Sequence, residues 1–165
     1  MIEIVQAPNN ESTIDGIKLF IAGGISNCVN WQNNLCDRLV NEQRLKGDVN
    51  IIVFNPRCKT IPEEDPQIKW EYEKLKKSDV ISFWFSEGSL NPITLFEYGS
   101  HIKSKKPIVV GCHPSYVKIN NVIIQTKLVK PKFKVTENFD DFYNYLIDTL
   151  IIEISKYKIR NNLKI

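Results

Sequence analysis

Apolar runs separated by amphipathic segments dominate the middle of the chain. Four runs of mainly apolar residues, at 17–22, 49–54, 80–85 and 107–111, predict buried β-strands. After the first of them, Cys28, Trp31, Leu35 and Leu39 recur at helical spacing, and similar stripes follow the other runs. Strands that alternate with helices indicate βαβ units. The pattern therefore predicts an α/β fold with a mostly parallel, doubly wound sheet.

The two ends of the chain add less regular segments. Residues 1–15 are mainly polar and predict an N-terminal arm, in which Ile2 and Ile4 alternate as in a short edge strand. Residues 133–135 predict a short further strand, and an apolar stripe predicts a C-terminal helix over 138–157. We expect residues 1–165 to form one domain, with a sheet of four or five strands flanked by helices.

Composition and charge exclude some classes of partner. The 165 residues are 42% hydrophobic and carry a formal net charge of +3, which is too small for a surface that follows nucleic-acid phosphates. The chain has no apolar run long enough to cross a bilayer. We therefore expect neither a nucleic-acid polymer nor a membrane as partner, and a cytoplasmic location.

The four cysteines favour free thiols over a metal site. They form no CxxC pair and have no histidine at the spacing of zinc ligands. Free thiols are typical of a reducing compartment. We expect no metal and no organic cofactor. The cysteines are Cys28, Cys36, Cys58 and Cys112.

Glycine and polar residues follow the predicted strands. Gly23 and Gly24 end the first strand, and Asn55 and Arg57 follow the second. Because right-handed crossovers place the loops after parallel strands at one edge of the sheet, we expect these residues to converge there. The glycine pair fits either a plain strand-to-helix turn or a cradle for a ligand at the next helix.

Residues 58–66, rich in proline and acidic residues, predict a loop, and Pro92 predicts a break before a helix from about residue 94 to 103. Glu97 comes shortly after the strand at 80–85, near the start of this helix. Two interpretations are open from position alone. The carboxylate is either a favourable charge near the positive end of the helix dipole or a functional group at the ligand-binding edge of the sheet.

Several motifs, in this order and spacing, resemble the nucleoside 2-deoxyribosyltransferase-like family between about residues 17 and 125. They are Phe20-Ile21-Ala22-Gly23-Gly24-Ile25, Asn55-Pro56-Arg57, Gln67-Ile68-Lys69-Trp70-Glu71, Ser78-Asp79-Val80-Ile81-Ser82-Phe83-Trp84-Phe85 and Pro92-Ile93-Thr94-Leu95-Phe96-Glu97-Tyr98-Gly99. The resemblance implies a flavodoxin-like sheet and cleavage of the N-glycosidic bond of deoxynucleosides or their monophosphates. It also implies a homo-oligomer, since family members share sites between subunits.

The resemblance also implies roles for individual residues. Glu97 matches the nucleophilic glutamate of the family, and Gly23 and Gly24 match the loop beside the nucleoside. Two positions depart from the family pattern. Asn91 stands where typical members carry an aspartate that reaches a neighbouring subunit's site, and Glu71 stands where an aspartate is usual.

The chemistry needs two carboxyl groups. One attacks the sugar carbon as it becomes oxocarbenium-like and forms a glycosyl-enzyme, which water or another base resolves. A second must protonate the departing base or orient its ring nitrogen. Glu71 is the candidate for this acid, with a solvated helix carboxylate as the alternative, and Asp79 is a weaker candidate that also fits a turn cap.

Four further residues are candidates for substrate binding, each with a structural alternative. Trp70 either stacks on a base or belongs to the core. Arg57, in a loop with Asn55, either holds a 5′-phosphate or base or lies in solvent. Tyr98 either orients the neighbouring Glu97 or packs.

Three functions remain open at this point. The first is cleavage or transfer at the N-glycosidic bond of a 2′-deoxynucleoside through Glu97, with a free nucleobase as the other partner. The second is a deoxynucleoside 5′-monophosphate N-glycosidase, which needs a phosphate cradle such as Ser26, Asn27 and Arg57. The third is a nucleotide-binding module without catalysis, which is supported by the departures from the family pattern at Asn91 and Glu71.

Overall fold

The computed structural model describes residues 1–9, 11–58 and 64–163 of the chain. Within them lie six strands: β1 (Ile2–Gln6), β2 (Ile17–Gly23), β3 (Ile51–Asn55), β4 (Val80–Phe85), β5 (Ile108–Cys112) and β6 (Val135–Thr136). The α-helices are α1 (Trp31–Asn41), α2 (Glu64–Lys77), α3 (Pro92–His101), α4 (Ile119–Val129) and α5 (Phe139–Arg160). A short 3-10 helix, Gln43–Leu45, follows α1.

All six strands are parallel and form one sheet in the order β1-β3-β2-β4-β5-β6. The five strands from β2 to β6 have the order of a flavodoxin-like doubly wound sheet. The predicted α/β class is confirmed. After β2 the chain goes first to one side, to β3, and then to the other side, to β4. This reversal leaves a crevice at the carboxyl ends of β2 and β4.

The sheet has six strands where the sequence predicted four or five, because part of the N-terminal arm forms β1. Ile2 pairs with Ile51 and Gln6 with Asn55, in parallel register at the outer edge of the sheet. Val5 is buried by this pairing. The alternation of Ile2 and Ile4 indicated a short edge strand here, but its partner strand lies about fifty residues further along the chain and could not be identified from the arm itself.

Helices cover both faces of the sheet. On one face α1 and α5 pack through residues such as Leu35 and Leu146, both completely buried. On the other face α2, α3 and α4 pack through residues such as Leu75 and Val122. Burial on both sides explains why β2 to β5 read as continuous apolar runs.

Two helix boundaries differ from the prediction, and in both cases proline lies inside the first turn of the helix. The helix predicted from residue 94 begins at Pro92, where proline is favoured because the first helical N–H has no partner within the helix. Residues 58–66 were predicted as a loop, but α2 begins at Glu64 and holds Pro66 in its first turn. Residues 59–63 of that prediction lie outside the described residues.

Candidate active site

A cavity of about 320 Å³ opens at the carboxyl ends of β2 and β4, on the face of the sheet covered by α2 and α3. Its walls come from the loop after β2, from α2, and from the segment that leads into α3. The structure brings six of the predicted site residues into these walls: Gly23, Gly24, Ser26, Glu71, Asn91 and Glu97. Doubly wound folds bind ligands at this position, and the volume lies at the small end of the range for such sites.

Glu97 lies half-buried in the cavity wall, in the second turn of α3. Burial, and to a smaller extent the charge of Glu71, raise the pKa of its carboxyl to about 8. The stabilising effect of a helix N-terminus on an anion fades beyond the first turn and would lower the pKa. The surroundings of Glu97 therefore act against its charge, as at sites where a carboxyl group exchanges protons near neutral pH.

Glu71 reaches the same cavity from α2. It is half-buried, and burial raises the pKa of its carboxyl. A hydrogen bond partly opposes this rise, since Gln67 Nε2 donates to Glu71 Oε1 at 2.6 Å. Glu71 thus has a fixed partner on its own helix and faces the cavity beside Glu97.

The two carboxyl groups titrate as a pair, because the charge on Glu71 raises the pKa of Glu97. Both pKa values are raised, so the pair keeps one proton over a range that extends up to about pH 8. A neutral and an ionised carboxyl group side by side supply an acid and a nucleophile at the same pH.

The loop after β2 is anchored through the carbonyl oxygen of Gly24. That oxygen accepts hydrogen bonds from Gln32 Nε2 at 3.0 Å, from Trp31 Nε1 at 3.1 Å and from the Cys28 thiol at 3.1 Å. Three donors on one buried carbonyl fix the floor of the cavity to the start of α1. The loop is therefore preorganised before any ligand enters.

Both glycines are required by close packing. A Cβ on Gly24 would overlap the side-chain oxygen of Asn91, and one on Gly23 would overlap the ring of Trp31 and lie 2.5 Å from the carbonyl oxygen of Trp84. Asn91, Trp31 and the Trp84 carbonyl therefore lie directly against the backbone of the two glycines at the cavity edge. The sequence predicted such a close approach for this pair.

Asn91 forms the junction between the loop after β4 and α3. Its backbone is left-handed, with φ of 48°, and its Nδ2 lies 3.4 Å from the carbonyl oxygens of Ser86 and Ser89. Among the described residues, its Oδ1 and the hydroxyl of Ser86 are buried without a hydrogen-bond partner. Asn91 lies in the wall of its own chain's cavity.

Asn55 and Arg57 lie behind the cavity and do not contribute to its walls. Asn55 Oδ1 accepts from the backbone N–H of Arg57 at 3.0 Å. The guanidinium donates from Nε to Gln32 Oε1 and from Nη2 to the carbonyl oxygen of Ile25, each at 3.1 Å. Arg57 thus braces the loop after β2 from outside.

The structure places Trp70 in the core. Its indole is almost fully buried, with ring centroids 6.2 Å from Phe20 and 6.3 Å from Phe54. Its Nε1 donates to the carbonyl oxygen of Asn9 at 2.6 Å. This is the core alternative of the sequence interpretation, and the ring does not line the cavity.

Tyr98 and Asp79 also lie away from the cavity. The ring of Tyr98 packs between Phe83 and Phe85, and its hydroxyl is 2.6 Å from Thr126 Oγ1. Asp79 precedes β4 at the opposite, amino edge of the sheet, where its Oδ2 accepts from the backbone N–H of Lys18 at 2.8 Å. Tyr98 packs, as its structural alternative held, whereas Asp79 bonds to the start of β2 and, among the described residues, does not cap its own turn.

Sequence reasoning did not single out Gln67 as a site residue. The signal was present, because Gln67 precedes Glu71 by four residues within the quoted motif, and side chains at that spacing meet on a helix. Its side chain donates a hydrogen bond to Glu71 but does not itself line the cavity.

A second cavity, of about 440 Å³, opens at the same edge of the sheet but on the face of α1 and α5. Trp31, Trp84 and Phe139 form its apolar wall, with Glu87 and His113 nearby. His113 Nδ1 lies 3.7 Å from a carboxyl oxygen of Glu87 and accepts from the backbone N–H of Ser115 at 3.1 Å. We refer to it as the aromatic cavity and to the first as the carboxylate cavity.

Two searches of the described part of the chain gave no site of another kind. Among residues 1–9, 11–58 and 64–163, no group of three or more His, Cys, Asp or Glu side chains is placed to hold a metal ion. None of the helices in these ranges has the length and apolar character needed to cross a membrane.

Comparison with known proteins identifies the family of the chain. Residues 16–116 match the model of a family described as nucleoside 2-deoxyribosyltransferase like. The match covers β2 to β5 and both helices that carry the glutamates. A search of curated proteins returned no match.

Proposed function

The chain belongs to the nucleoside 2-deoxyribosyltransferase-like family, and from this premise we propose that it cleaves the N-glycosidic bond of a 2′-deoxynucleoside. The deoxyribosyl group passes to another nucleobase or to water. The observation that carries the proposal is the pair of half-buried carboxyl groups, Glu97 and Glu71, on two helices that face one cavity.

In the free pair the proton lies mainly on Glu97, because burial and the charge on Glu71 raise its pKa to about 8. The first step starts from the less populated arrangement with the proton on Glu71, in which an ionised oxygen of Glu97 attacks C1′ of the sugar. The bond between C1′ and the base nitrogen breaks, and its electron pair leaves with the base. Glu71 gives its proton to the base, which departs neutral. The products are a glycosyl ester on Glu97 and an ionised Glu71.

The second step reverses the roles of the pair. Water or an incoming base attacks C1′ while Glu71 removes its proton. The ester bond breaks, and Glu97 leaves as a carboxylate. Both carboxyl groups return to their starting states, so the cycle needs no other reactant.

This cycle requires that the pair hold one proton in total. Above about pH 8 the pair loses its last proton and has no acid, and at low pH it is fully protonated and has no nucleophile. We therefore expect activity to fall on both sides of a maximum, with the alkaline limb near pH 8.

A neutral nucleoside fits the cavity better than its monophosphate. The described residues that line the cavity carry two carboxyl groups and no lysine or arginine. Arg57, the candidate for a phosphate, does not line the cavity, and its Nε and Nη2 donate to Gln32 and to the carbonyl oxygen of Ile25. A phosphate would meet negative charge without a cation to offset it.

We propose that residues 1–165 act as one unit, since β1 and α5, outside the family match, pack on the same sheet. We also propose a homo-oligomer, which the exposed apolar side chains of Ile93 and Phe96 on α3 support. Sedimentation velocity would show a single monomer species if this is wrong. The four cysteines are unpaired thiols, which supports a cytoplasmic location.

The test is incubation of the purified protein with a deoxynucleoside and a different free base, followed by chromatography. Exchanged nucleoside supports transfer, and free deoxyribose supports hydrolysis. A parallel incubation with the 5′-monophosphate separates the alternative N-glycosidase, which would turn over only that substrate. Mass spectrometry of the peptide that contains Glu97 should show a deoxyribosyl adduct. Tight binding without turnover of either substrate would leave only the inactive module.

A further inference from the structure

The side-chain amide of Gln67, one helical turn before Glu71, is held on all sides. Its Nε2 donates to Glu71 Oε1 at 2.6 Å and to the carbonyl oxygen of Pro56 at 2.8 Å. Its Oε1 accepts from the Cys58 thiol, with 3.0 Å between the two atoms. Both ends of the amide therefore have partners, and two of the three lie outside α2.

The direction of this amide follows from the chemistry of its neighbours. The Pro56 carbonyl and an ionised Glu71 can only accept hydrogen bonds. Turned by 180°, the amide would place its oxygen against both acceptors and its nitrogen against the Cys58 thiol. The N–H groups of Gln67 consequently face Glu71 and Pro56.

We propose that Gln67 is a positioning residue, which holds Oε1 of Glu71 and leaves Oε2 to meet the departing base. The catalytic meaning of this inference rests on the proposed function. The contact with Glu71 is a property of the fold and can be tested without substrate.

Few titratable groups surround Glu71 in the described part of the chain. Glu97 faces it from α3, and Cys58 approaches from the segment after β3. Lys74 follows on the next turn of α2, where its ammonium lies near the rings of Phe54 and Trp70. The described cavity walls contributed by β2 and its loop carry no titratable side chain. Gln67 is thus the polar side chain that contacts the Glu71 carboxyl directly.

This contact gives a direction that can be measured. An N–H donor stabilises the ionised carboxyl, so the bond from Gln67 lowers the pKa of Glu71 against the rise due to burial. Removal of the bond must raise the pKa of Glu71. The pair then loses its first proton at a higher pH than in the parent protein. The loss of its second proton, near pH 8, does not move to lower pH.

The first experiment is a titration of the glutamate side-chain carboxyl carbons by carbon-13 NMR. We expect Gln67→Leu to move the Glu71 titration to higher pH. Gln43→Leu is the matched control, since Gln43 is exposed and donates only to the carbonyl oxygen of Asn41, so it should leave the titration unchanged. Gln67→Glu keeps the side-chain length and the acceptor for Cys58, and it should give a larger upward movement because it adds a negative charge. Gln67→Glu replaces Gln67→Leu in this titration if the leucine variant does not fold.

The second experiment is kinetic. Gln67→Leu should lower kcat by about tenfold, as for other residues that orient a reacting group, with KM almost unchanged. The acid limb of the pH profile should move to higher pH together with the NMR titration. Cys58→Ala removes only the remote partner of the amide and should retain most of the activity and a nearly unchanged profile.

Each outcome decides a separate point. A lower kcat with an unmoved acid limb and an unmoved Glu71 titration would overturn the positioning role, since that pattern marks general loss of structure. If the Glu71 titration moves to higher pH in Gln67→Leu but the parent protein cleaves no deoxynucleoside, the proposed function is overturned. The positioning of Glu71 by Gln67 is still supported in that case. Agreement of the titration and the acid limb supports both.

Discussion

The carboxylate cavity and the aromatic cavity lie at the same edge of one sheet, on opposite faces, and differ in chemistry more than in size. The aromatic cavity is the larger, at about 440 Å³ against about 320 Å³. Its walls are aromatic rings packed edge to face, together with the side chains of Glu87 and His113. The smaller cavity holds two carboxyl groups whose pKa values burial raises. Volume alone would select the aromatic cavity, whereas the raised pKa values of the two carboxyl groups select the carboxylate cavity as the candidate site.

The difference has a structural origin in what each face uses its side chains for. On the face of α1 and α5, Trp84 and Phe139 complete the core, with ring centroids 5.0 Å apart. On the face of α2 and α3, the helices bring Glu71 and Glu97 to the crevice and keep them half-buried. Desolvated carboxyl groups cost stability, so such a pair points to function rather than to packing.

The largest expected effect is loss of activity on substitution of the nucleophile. Glu97→Gln keeps the size of the side chain but cannot form the glycosyl ester, so we expect kcat to fall by more than about 10³-fold. The measurement is steady-state turnover of deoxynucleoside, with circular dichroism to verify the fold. Full activity in this variant would remove the basis for preferring the carboxylate cavity.

The next effect should depend on the leaving base. Glu71→Gln removes the acid, and we expect turnover to fall by about 10²- to 10³-fold for bases that need protonation. A nucleoside whose base leaves readily as an anion should recover much of the lost rate. Comparison of a poor and a good leaving group in both proteins measures this, and an equal loss for the two would rule out the acid role of Glu71.

Packing at the cavity edge gives a third prediction. Gly24→Ala introduces a Cβ that overlaps Asn91 and lies 3.2 Å from the Ser86 hydroxyl. We expect the free energy of unfolding to fall by about 1–3 kcal/mol and KM to rise. Gly99→Ala is the control, because a Cβ there meets no atom within 4 Å, so it should leave the stability unchanged or raise it slightly. Urea denaturation and kinetics separate the two variants, and equal behaviour would refute the steric account.

Stability should depend on pH through Glu97. Its pKa is about 8 in the folded state and near 4.5 when unfolded, so between these values the folded protein binds more protons. The free energy of unfolding should therefore decrease as pH rises from about 5 to 8, by roughly 1–3 kcal/mol for a partly exposed group. In Glu97→Gln this decrease should largely disappear. Denaturant unfolding at a series of pH values measures it, and parallel curves for both proteins would contradict the assignment.

The smallest effect is expected in the aromatic cavity. His113→Ala removes the half-buried ring next to Glu87 without touching the carboxylate cavity. Turnover and stability should stay within about twofold and 0.5 kcal/mol of the parent protein. A large loss of turnover would show that the two cavities act together.

Local sequence patterns predicted the fold class, but they did not give the number of strands or the start of α3 correctly. The apolar runs at 17–22 and 80–85 have the burial of strands covered on both faces, and their order along the chain was enough for a parallel sheet. The alternation of Ile2 and Ile4 indicated β1 but not its pairing with Ile51–Asn55, because that pairing is a long-range contact. The start of α3 at Pro92 escaped because proline favours a first helical turn as readily as it breaks a later one.

For the candidate site, the sequence predicted which residues lie near the carboxyl ends of the strands. It did not predict the direction in which their side chains point. Glu97, Glu71 and the glycine pair reach the cavity as expected, since they follow from strand ends and helix faces. Arg57 and Tyr98 are adjacent in sequence to such positions, yet their side chains point to the Ile25 carbonyl and to Thr126. Their direction depends on tertiary partners that a single sequence does not show, and so does the bond between Gln67 and Glu71.

The N-terminal strand has a practical consequence for handling the protein. Because β1 runs parallel to the other strands, Met1 lies at the amino edge of the sheet, where its ammonium group donates to Asn50 Oδ1 at 3.2 Å. The carboxylate cavity opens at the opposite edge. A tag or surface linker attached at Met1 would leave the cavity mouth facing away from the support, so immobilised protein should remain open to small molecules.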